Sequence, residues 1–518
     1  MVGRVSGQTE TASTMTLLLV AILATGLHVA CGTRLSKCVG SEKAQVPLLL
    51  TPYLDACQAE SARCLSEVQF PSMYGDGRRD DASLPDIKSH AGYITTNRTL
   101  GNHLFFWHFA SPENDDAPLL LWLNGGPAVS SMLGLFWEHG PLEIDRHKYG
   151  LGNFGPHEHS WVGPFSVVYV DNPVGTGYSF SDSKENGYRL TQEEYTDDLY
   201  EFVLQFLELF PEYRARGVFL GGQSYAGKYV PALGYRIHNE EQARKEEKKK
   251  DGGSKSHGDS QCKDSTDYVA GSFTKMVGVN LKGIVLGGPY FDPETESVAF
   301  FDYLYSMGVI SHFDMSRHKA KVQDMYRNFT LGTAPKANFS TLFTDLVLLD
   351  ELPLPSLDNY VTGKDADYKA LGVVMITSRM RKALHVGDKS YYESNDELSE
   401  LYGPDVLVST KSKMALLMDN YKVLIYNGDY DIVVSSVMIE SALLTTPWSG
   451  QAKYNTTSRK MWGKQDNVKG FFTQTDKFCR VIVHGAGHQT PHDKPKECLE
   501  MVRAFLDRGC VHNTAPEN

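Results

Sequence analysis

Apolar positions follow two rhythms along this chain. Short, almost unbroken apolar runs are closed by Gly, Asp, Asn or Pro, and between them lie stretches whose apolar residues recur every three to four positions. The runs include Gly92-Tyr93-Ile94-Thr95, His103-Leu104-Phe105-Phe106-Trp107, Leu119-Leu120-Leu121-Trp122-Leu123 and Ser166-Val167-Val168-Tyr169-Val170. Val218-Phe219-Leu220, Gly283-Ile284-Val285-Leu286-Gly287, Val423-Leu424-Ile425-Tyr426 and Val481-Ile482-Val483 continue the series. Runs this short and this apolar predict strands buried on both faces, the habit of a parallel sheet. Residues 191–210 carry helical spacing, opened by the capping box Thr191-Gln192-Glu193-Glu194 and stopped before Pro211. Strand and helix in alternation place the chain in the α/β class, with a mostly parallel, doubly wound central sheet.

Two stretches break the rhythm. Residues 239–272 run from mixed charge (Glu240, Glu241, Lys245 to Lys250) into Gly, Ser and Asp, which reads as a helix end entering a solvated loop, where nicking concentrates. Residues 294–415 show helical patterns, few strand signals and no cysteine. They fall between the sixth and seventh strands, where an inserted, largely helical lid would cover a site. The expected division is therefore a leader at 1–32, the first part of a core at 33–293, the lid at 294–415 and the rest of the core at 416–518.

The leader is the apolar run Leu17-Leu18-Leu19-Val20-Ala21-Ile22-Leu23-Ala24, which ends in Ala30, Cys31 and Gly32. It is short for a membrane span and has the form of a signal peptide. Sequons at Asn97, Asn328, Asn338 and Asn455 and a total of eight cysteines agree with an oxidising, secretory compartment. The expectation is a secreted or lysosomal glycoprotein with disulfides and no integral membrane span. Cys57 with Cys64, and Cys498 with Cys510, are near enough in sequence to pair, although sequence does not fix the pairing. Across 518 residues the formal net charge is −12, which argues against nucleic acid as a partner. No cofactor signature or metal-type spacing is present. The oligomeric state stays open, a homodimer included.

Chemistry gathers just past three of the strands, in Gly222-Gln223-Ser224-Tyr225-Ala226-Gly227, Asn427-Gly428-Asp429-Tyr430-Asp431 and Gly485-Ala486-Gly487-His488. A nucleophile, an acid and a base thus lie at the strand ends where open α/β sheets build their sites. Their order along the chain, Ser, Asp, His, is that of α/β-hydrolases. A serine hydroxyl needs a base within hydrogen-bond reach. Small Gly222 and Ala226 permit the tight turn that would present Ser224, and Asp429 competes with Asp431 for the role of acid.

The same segments resemble those of serine carboxypeptidases. Gly222 to Pro231 is similar to their G-E-S-Y-A-G-x-Y-V-P segment, and Trp122-Leu123-Asn124-Gly125-Gly126-Pro127 to W-L-N-G-G-P. Asp171 to Ser179 is similar to D-x-P-V-G-T-G-F-S, while Asn427 to Asp431 and Gly485 to Pro491 resemble the acid and base segments. The likeness runs from about residue 50 to the C-terminus, apart from the charged stretch and much of the lid. Leu49-Leu50-Thr51-Pro52-Tyr53-Leu54, Glu138-His139-Gly140-Pro141 and Asn420 to Gly428 look closest to the vitellogenic carboxypeptidase-like branch.

The resemblance implies an α/β-hydrolase fold in which Ser224 attacks, His488 is general base and then acid, and Asp431 orients His488. It implies oxyanion donors at the backbone N–H groups of Gly126 and Tyr225. It also implies that Asn124, Glu138 and Gln223, supported by Trp122, recognise the carboxylate of a peptide with a free C-terminus. Glu138 has a plainer alternative as an exposed charge at a helix end. Four departures stand out. Gln223 replaces a Glu, and an amide donates at any pH, so carboxylate binding should fall less steeply as pH rises. Ala128 replaces a Gly, which would strain the loop by about 1 kcal/mol if φ is positive there. Gln489 and Thr490 replace apolar residues and should make the pocket for the leaving residue more polar. Gly288-Pro289 replaces the usual N-G or D-G.

The expected function is removal of C-terminal amino acids from peptides through an acyl-enzyme. A catalytically impaired binding or scaffold homologue, or an esterase or acyltransferase on the same triad, remains the alternative.

Overall fold

The computed structural model describes residues 46–69, 87–250, 278–333 and 352–512, except 353 and 364. The leader expected at 1–32, the sequon at Asn338 and residues 251–272 of the charged stretch lie outside the described residues.

Ten strands form the main path of one sheet: β1 (Ser89–Asn97), β2 (Asn102–Phe109), β3 (Leu119–Leu123), β4 (Ser166–Val170), β5 (Val218–Gln223), β6 (Leu281–Gly287), β7 (Lys422–Gly428), β8 (Lys460–Lys464), β9 (Asn467–Thr475) and β10 (Phe478–Val483). Their spatial order is β1-β2-β4-β3-β5-β6-β7-β10-β9-β8, with the short Phe180–Ser181 pairing off the path beside β2. From β4 through β3, β5, β6 and β7 to β10 every pairing is parallel. Antiparallel strands flank this centre on both sides. Every apolar run read as a strand is one, and the mostly parallel α/β sheet is as expected.

Alternate residues of the central strands enter opposite cores. Leu119, Leu121 and Leu123 join one apolar cluster, while Leu120 and Trp122 join the other. Val423 and Ile425 divide from Leu424 and Tyr426 in the same way. Both faces are therefore dry, which is why these strands read as unbroken apolar runs rather than alternating ones.

Helix α1 (Gln192–Leu209) starts where its capping box predicts: Thr191 Oγ1 accepts from Glu194 N (3.3 Å), and a Glu194 carboxylate oxygen accepts from Thr191 N (3.2 Å). Such a cap is worth about 1 kcal/mol. Helix α2 (Ala226–Lys250) leaves the end of β5 buried and finishes as an exposed charged arm, so the mixed-charge stretch begins as helix.

Between β6 and β7 the regular elements among the described residues are helices, beginning with α3 (Pro293–Ser306) and α4 (His312–Thr330) and ending with α5 (Lys411–Asn420). Helix α6 (Pro495–Arg508) covers the face of β10. Among the described residues no helix is long and apolar enough to cross a membrane. Asn328 and Asn455 are exposed and Asn97 partly so.

Two cysteine expectations need correction. Cys510 is bonded to Cys479 on β10 instead of Cys498, because α6 returns the chain end to that strand and leaves Cys498 buried within the helix. Cys57 is disulfide-bonded, but not to Cys64.

Buried titratable groups give the fold a pH dependence whose sign can be worked out. Glu296, in the first turn of α3, is fully buried, and its Oε1 accepts only long bonds from Phe291 N (3.3 Å) and Asp292 N (3.4 Å). Burial, reinforced by the charge of Asp292, pushes its carboxyl up to about 8. Opposing it, burial and then Arg63 push His90 down to about 3, and burial holds His108 well below its usual value.

Above pH 6.5 the folded chain holds a Glu296 proton that the unfolded chain has released, so stability falls as pH rises to 8, by about 2 kcal/mol from this group. Below pH 6.5 the unfolded histidines bind protons that the buried ones refuse, which opposes any further gain in acid. Urea unfolding at a series of pH values is expected to give a stability maximum near pH 6 and a clear loss by pH 8. The neutral isostere Glu296→Gln should flatten the alkaline side of that curve.

Candidate active site

Ser224 lies in the turn between β5 and α2 with φ +60°, a left-handed conformation that costs a non-glycine residue about 1–2 kcal/mol. Three backbone bonds hold it there. Its N–H donates to Gly287 O (2.9 Å), and its carbonyl accepts from Gly227 N (2.9 Å) and Tyr290 N (3.0 Å). The turn is tight enough that a Cβ on Gly222 would lie 2.6 Å from the Cβ of Ala226, so the requirement for small residues is met as expected.

His488 and Asp431, on the loops after β10 and β7, meet beside this turn. His488 Nδ1 lies 2.8 Å from Asp431 Oδ2, both side chains are buried, and Asp431 Oδ1 accepts from Val434 N (2.9 Å). The competing carboxylate points elsewhere. Asp429 binds His484 Nδ1 (2.6 Å) and accepts from Gly485 N (2.7 Å). Burial alone would lower the His488 imidazolium, but the Asp431 carboxylate, with Asp358 and Glu138 behind it, lifts it to about 9. Among the described residues Ser224 Oγ has no hydrogen-bond partner. A nucleophile–base bond that tightens only when substrate is bound fits that geometry. The two loops are nonetheless tied together, since Gln223 Nε2 donates to the backbone oxygen of His488 (2.8 Å).

The segment after β3 packs directly on the serine turn. A Cβ on Gly125 would fall 2.4 Å from Tyr225 N and 2.9 Å from Ser224 Cβ, so only glycine allows this contact. It sets the Gly125 backbone against the Tyr225 peptide and the Ser224 side chain. Ala128 takes φ +65°, the strained case expected for an alanine at this position if φ is positive. Its methyl group is fully buried, worth about 0.8 kcal/mol. Burial of that size roughly cancels a strain of about 1 kcal/mol, so the substitution is tolerable.

Beside the loops of Ser224 and His488 lies a chain of polar groups. Trp122 Nε1 donates to Asn124 Oδ1 (2.8 Å), and Asn124 Nδ2 donates to Glu138 Oε1 (3.0 Å). Glu138 ends a single wide helical turn, Gly134–Glu138, and is buried, which rules out its reading as an exposed helix-end charge. Burial pushes its carboxyl up to about 7, against the opposing effects of Asn124 and His488. Among the described residues, two atoms of this group, Glu138 Oε2 and Gln223 Oε1, are buried with no hydrogen-bond partner. Buried polar atoms normally find partners; Glu138 Oε2 can donate when protonated, while Gln223 Oε1 can only accept.

Sequence reasoning passed over Asp358. Its backbone oxygen accepts from His488 N (2.6 Å), its Oδ2 accepts from Gln489 Nε2 (3.0 Å), and Gln489 Oε1 accepts from Trp137 Nε1 (3.1 Å). Asp405 was missed as well. It accepts from Tyr225 OH (2.6 Å), and its backbone oxygen accepts from the buried Lys228 ammonium (2.9 Å). Neither residue sits in a motif, and both arrive from the long β6–β7 connection. Among the described residues no group of three or more His, Cys, Asp or Glu side chains is arranged to hold a metal.

Comparison with known proteins agrees with this geometry. The serine carboxypeptidase family model matches residues 80–258 and 268–508. A probable serine carboxypeptidase CPVL from Rattus norvegicus is 34% identical over 480 residues, covering 89% of this chain and 90% of the relative. A venom serine carboxypeptidase from Apis mellifera is 30% identical (90% and 91% covered), and a vitellogenic carboxypeptidase from Aedes aegypti 29% identical (89% and 90%). Among solved structures, the prohormone-processing carboxypeptidase KEX1(delta)p from Saccharomyces cerevisiae shares the fold at a TM-score of 0.68 and 20% identity, covering 86% of this chain and 95% of its own. The likeness to the vitellogenic branch is thus met by its relatives, and the chain belongs to the serine carboxypeptidase family.

Proposed function

We propose that Ser224, His488 and Asp431 carry out this family's reaction here, the removal of C-terminal residues from peptides through an acyl-enzyme. The observation that carries this reading is the buried 2.8 Å His488–Asp431 pair set beside a serine held at φ +60°. Ser224 attacks the last peptide carbonyl while His488 takes its proton. His488 then returns that proton to the departing amine, and Asp431 keeps the imidazole oriented and stabilises it when charged. The N–H groups of Gly126 and Tyr225 receive the oxyanion, each worth about 3 kcal/mol in the transition state.

Recognition of the free chain end falls to Glu138, Asn124 and Gln223, with Trp122 fixing Asn124. While protonated, Glu138 donates from Oε2 to the substrate carboxylate. Gln223 spends one amide hydrogen on His488 O and keeps the other for substrate, so the titrating partner is Glu138. Residues 294–415 act as the cap over this cleft, between core parts 33–293 and 416–518. The exposed sequons and the Cys479–Cys510 disulfide support passage through the secretory pathway, to the exterior or the lysosome.

Three outcomes are expected. Asp431→Asn should lower kcat/KM by about 10⁴-fold, whereas Asp429→Asn should change it less than threefold. Equal losses in steady-state assays would overturn the choice of acid. Next, a fluorophosphonate should label Ser224, and a peptide with a free C-terminus should turn over far faster than its C-terminal amide. Labelling with equal cleavage of the pair would remove carboxylate recognition, and absent labelling would favour the non-catalytic homologue. Labelling with turnover of small esters only would favour the esterase.

The third concerns pH. The ratio of kcat/KM for the free peptide over its amide cancels the titration of His488 and reports carboxylate recognition alone. Below about pH 7 Glu138 donates and above it repels, so the ratio should fall as pH rises through 7. Glu138→Gln should make the ratio nearly flat. Gln223→Glu, by adding a second carboxyl that must be protonated, should steepen its fall; an unchanged slope would show that Gln223 does not meet the carboxylate.

A further inference from the structure

Lys228 lies fully buried in the first turn of α2, four residues past Ser224. Its ammonium donates to Asp405 O (2.9 Å) and to Val408 O. It also stands 5.5 and 5.8 Å from the ring centroids of Tyr225 and Tyr290, within reach of a cation–π contact. Among the described residues no carboxylate oxygen bonds it. Both carbonyls have another donor: Val408 N reaches Asp405 O (3.0 Å), and Gln192 Nε2 reaches Val408 O (3.2 Å). The lysine is therefore not required to satisfy buried backbone oxygens.

An ammonium held in the interior by carbonyls alone is a poor way to stabilise a fold. Taking it out of water is costly, and apolar residues of similar volume in place of buried charges are often neutral or stabilising. What Lys228 touches is the surroundings of Ser224. Tyr225 is held at both ends of its side chain, since its OH donates to Asp405 Oδ2 (2.6 Å) and Lys228 faces its ring. Lys228 N also closes the turn onto Tyr225 O (2.9 Å). Tyr290, the other ring beside the ammonium, supplies the N–H that binds Ser224 O (3.0 Å). One cation thus bears on both residues that bracket the strained serine, one next in the chain and one across the turn. Thr410 Oγ1 secures the same turn by donating to Gly227 O (3.0 Å).

We infer that Lys228 is a positioning residue that holds the Tyr225 peptide where its N–H receives the oxyanion, acting through the Tyr225 ring and the Asp405 segment. The inference rests on the exopeptidase reading given above and adds to it a residue that never meets substrate. Fixed at its hydroxyl and its ring, the Tyr225 side chain cannot swing without breaking a buried hydrogen bond, and its peptide is fixed with it. Preorganisation of that kind acts on the transition state and not on substrate binding. The charge matters because an apolar side chain of equal length would fill the space, yet bond neither carbonyl and attract neither ring. Burial opposes that charge most strongly, and the Asp405 carboxylate supports it.

The test uses Lys228→Met, Tyr225→Phe and the double variant of the full-length protein, assayed on a peptide with a free C-terminus. Lys228→Met should lower kcat by about 10- to 100-fold with KM within about threefold, because a misaligned oxyanion donor approaches the cost of a missing one. Fluorophosphonate labelling of Ser224 should slow to a similar extent. The melting temperature of Lys228→Met should stay within about 3 °C of the wild type, since the fold loses no net stability with the charge. Tyr225→Phe should lower kcat by about tenfold, and the double variant should be within about twofold of the poorer single one. Unchanged kcat in Lys228→Met overturns the inference, as does a loss confined to KM. A Lys228→Met protein that unfolds, or melts more than about 10 °C lower while its folded fraction keeps full kcat, makes Lys228 a structural post and also overturns it. Losses that multiply in the double variant would show that Lys228 does not act through Tyr225, and overturn it too. A wild type that fails to cleave the peptide is instead a failure of the exopeptidase reading itself.

Discussion

Holding a serine at φ +60° requires neighbours that over-determine its backbone, and most of this molecule can be traced to that requirement. The N–H of Ser224 is pinned to Gly287 at the end of β6, and its carbonyl to Tyr290 just beyond. Parallel pairing of β5 with β6 in register, Gln223 opposite Gly287, delivers those partners. The pairing stands only because both faces of the sheet are packed dry, with alternate residues of each strand feeding separate cores. A strain of about 1–2 kcal/mol is small against a core of that size.

The connection between β6 and β7 is stitched to the core at the points where the proposed chemistry lies. Ile432 N donates to Leu357 O, and His488 N to Asp358 O, so one short segment contacts the loops of both Asp431 and His488. Further along, Thr410 Oγ1 donates to Gly227 O, while Asp405 takes the hydroxyl of Tyr225. The connection therefore fixes the first turn of α2 and the base loop at once. The support comes from backbone atoms at Leu357 and Asp358 and from side chains at Asp405 and Thr410.

Much of this was legible in the sequence, for reasons that also explain the failures. Central strands buried on both faces are uniformly apolar, and the three chemical segments sit at their ends, so the fold and the candidate triad could be read from the same runs. The β8–β9 hairpin was not seen because it lies at the sheet edge, where Lys460, Lys464 and Asn467 are exposed and no apolar run forms. Spacing alone left Asp429 and Asp431 in competition, and the family resemblance favoured Asp431; in the fold Asp429 pairs with His484 and Asp431 with His488. The pairing of Cys510 failed for a similar reason: proximity in sequence favours Cys498, but the length of α6 carries the chain end back to β10. Asp358 is far from every motif, and only packing brings it to His488.

A cleft that must admit a carboxylate while keeping a basic imidazole faces an electrostatic conflict. Asp431 already lifts His488, and each added negative charge would lift it further, leaving less neutral base. Burial resolves part of that conflict. A buried Glu138 stays neutral into mildly acidic solution, so it can donate to an incoming carboxylate without adding charge. Asn124 occupies Oε1, which leaves Oε2 as the atom that carries the proton. Gln223 takes the same logic to its limit, because an amide has no charge to lose.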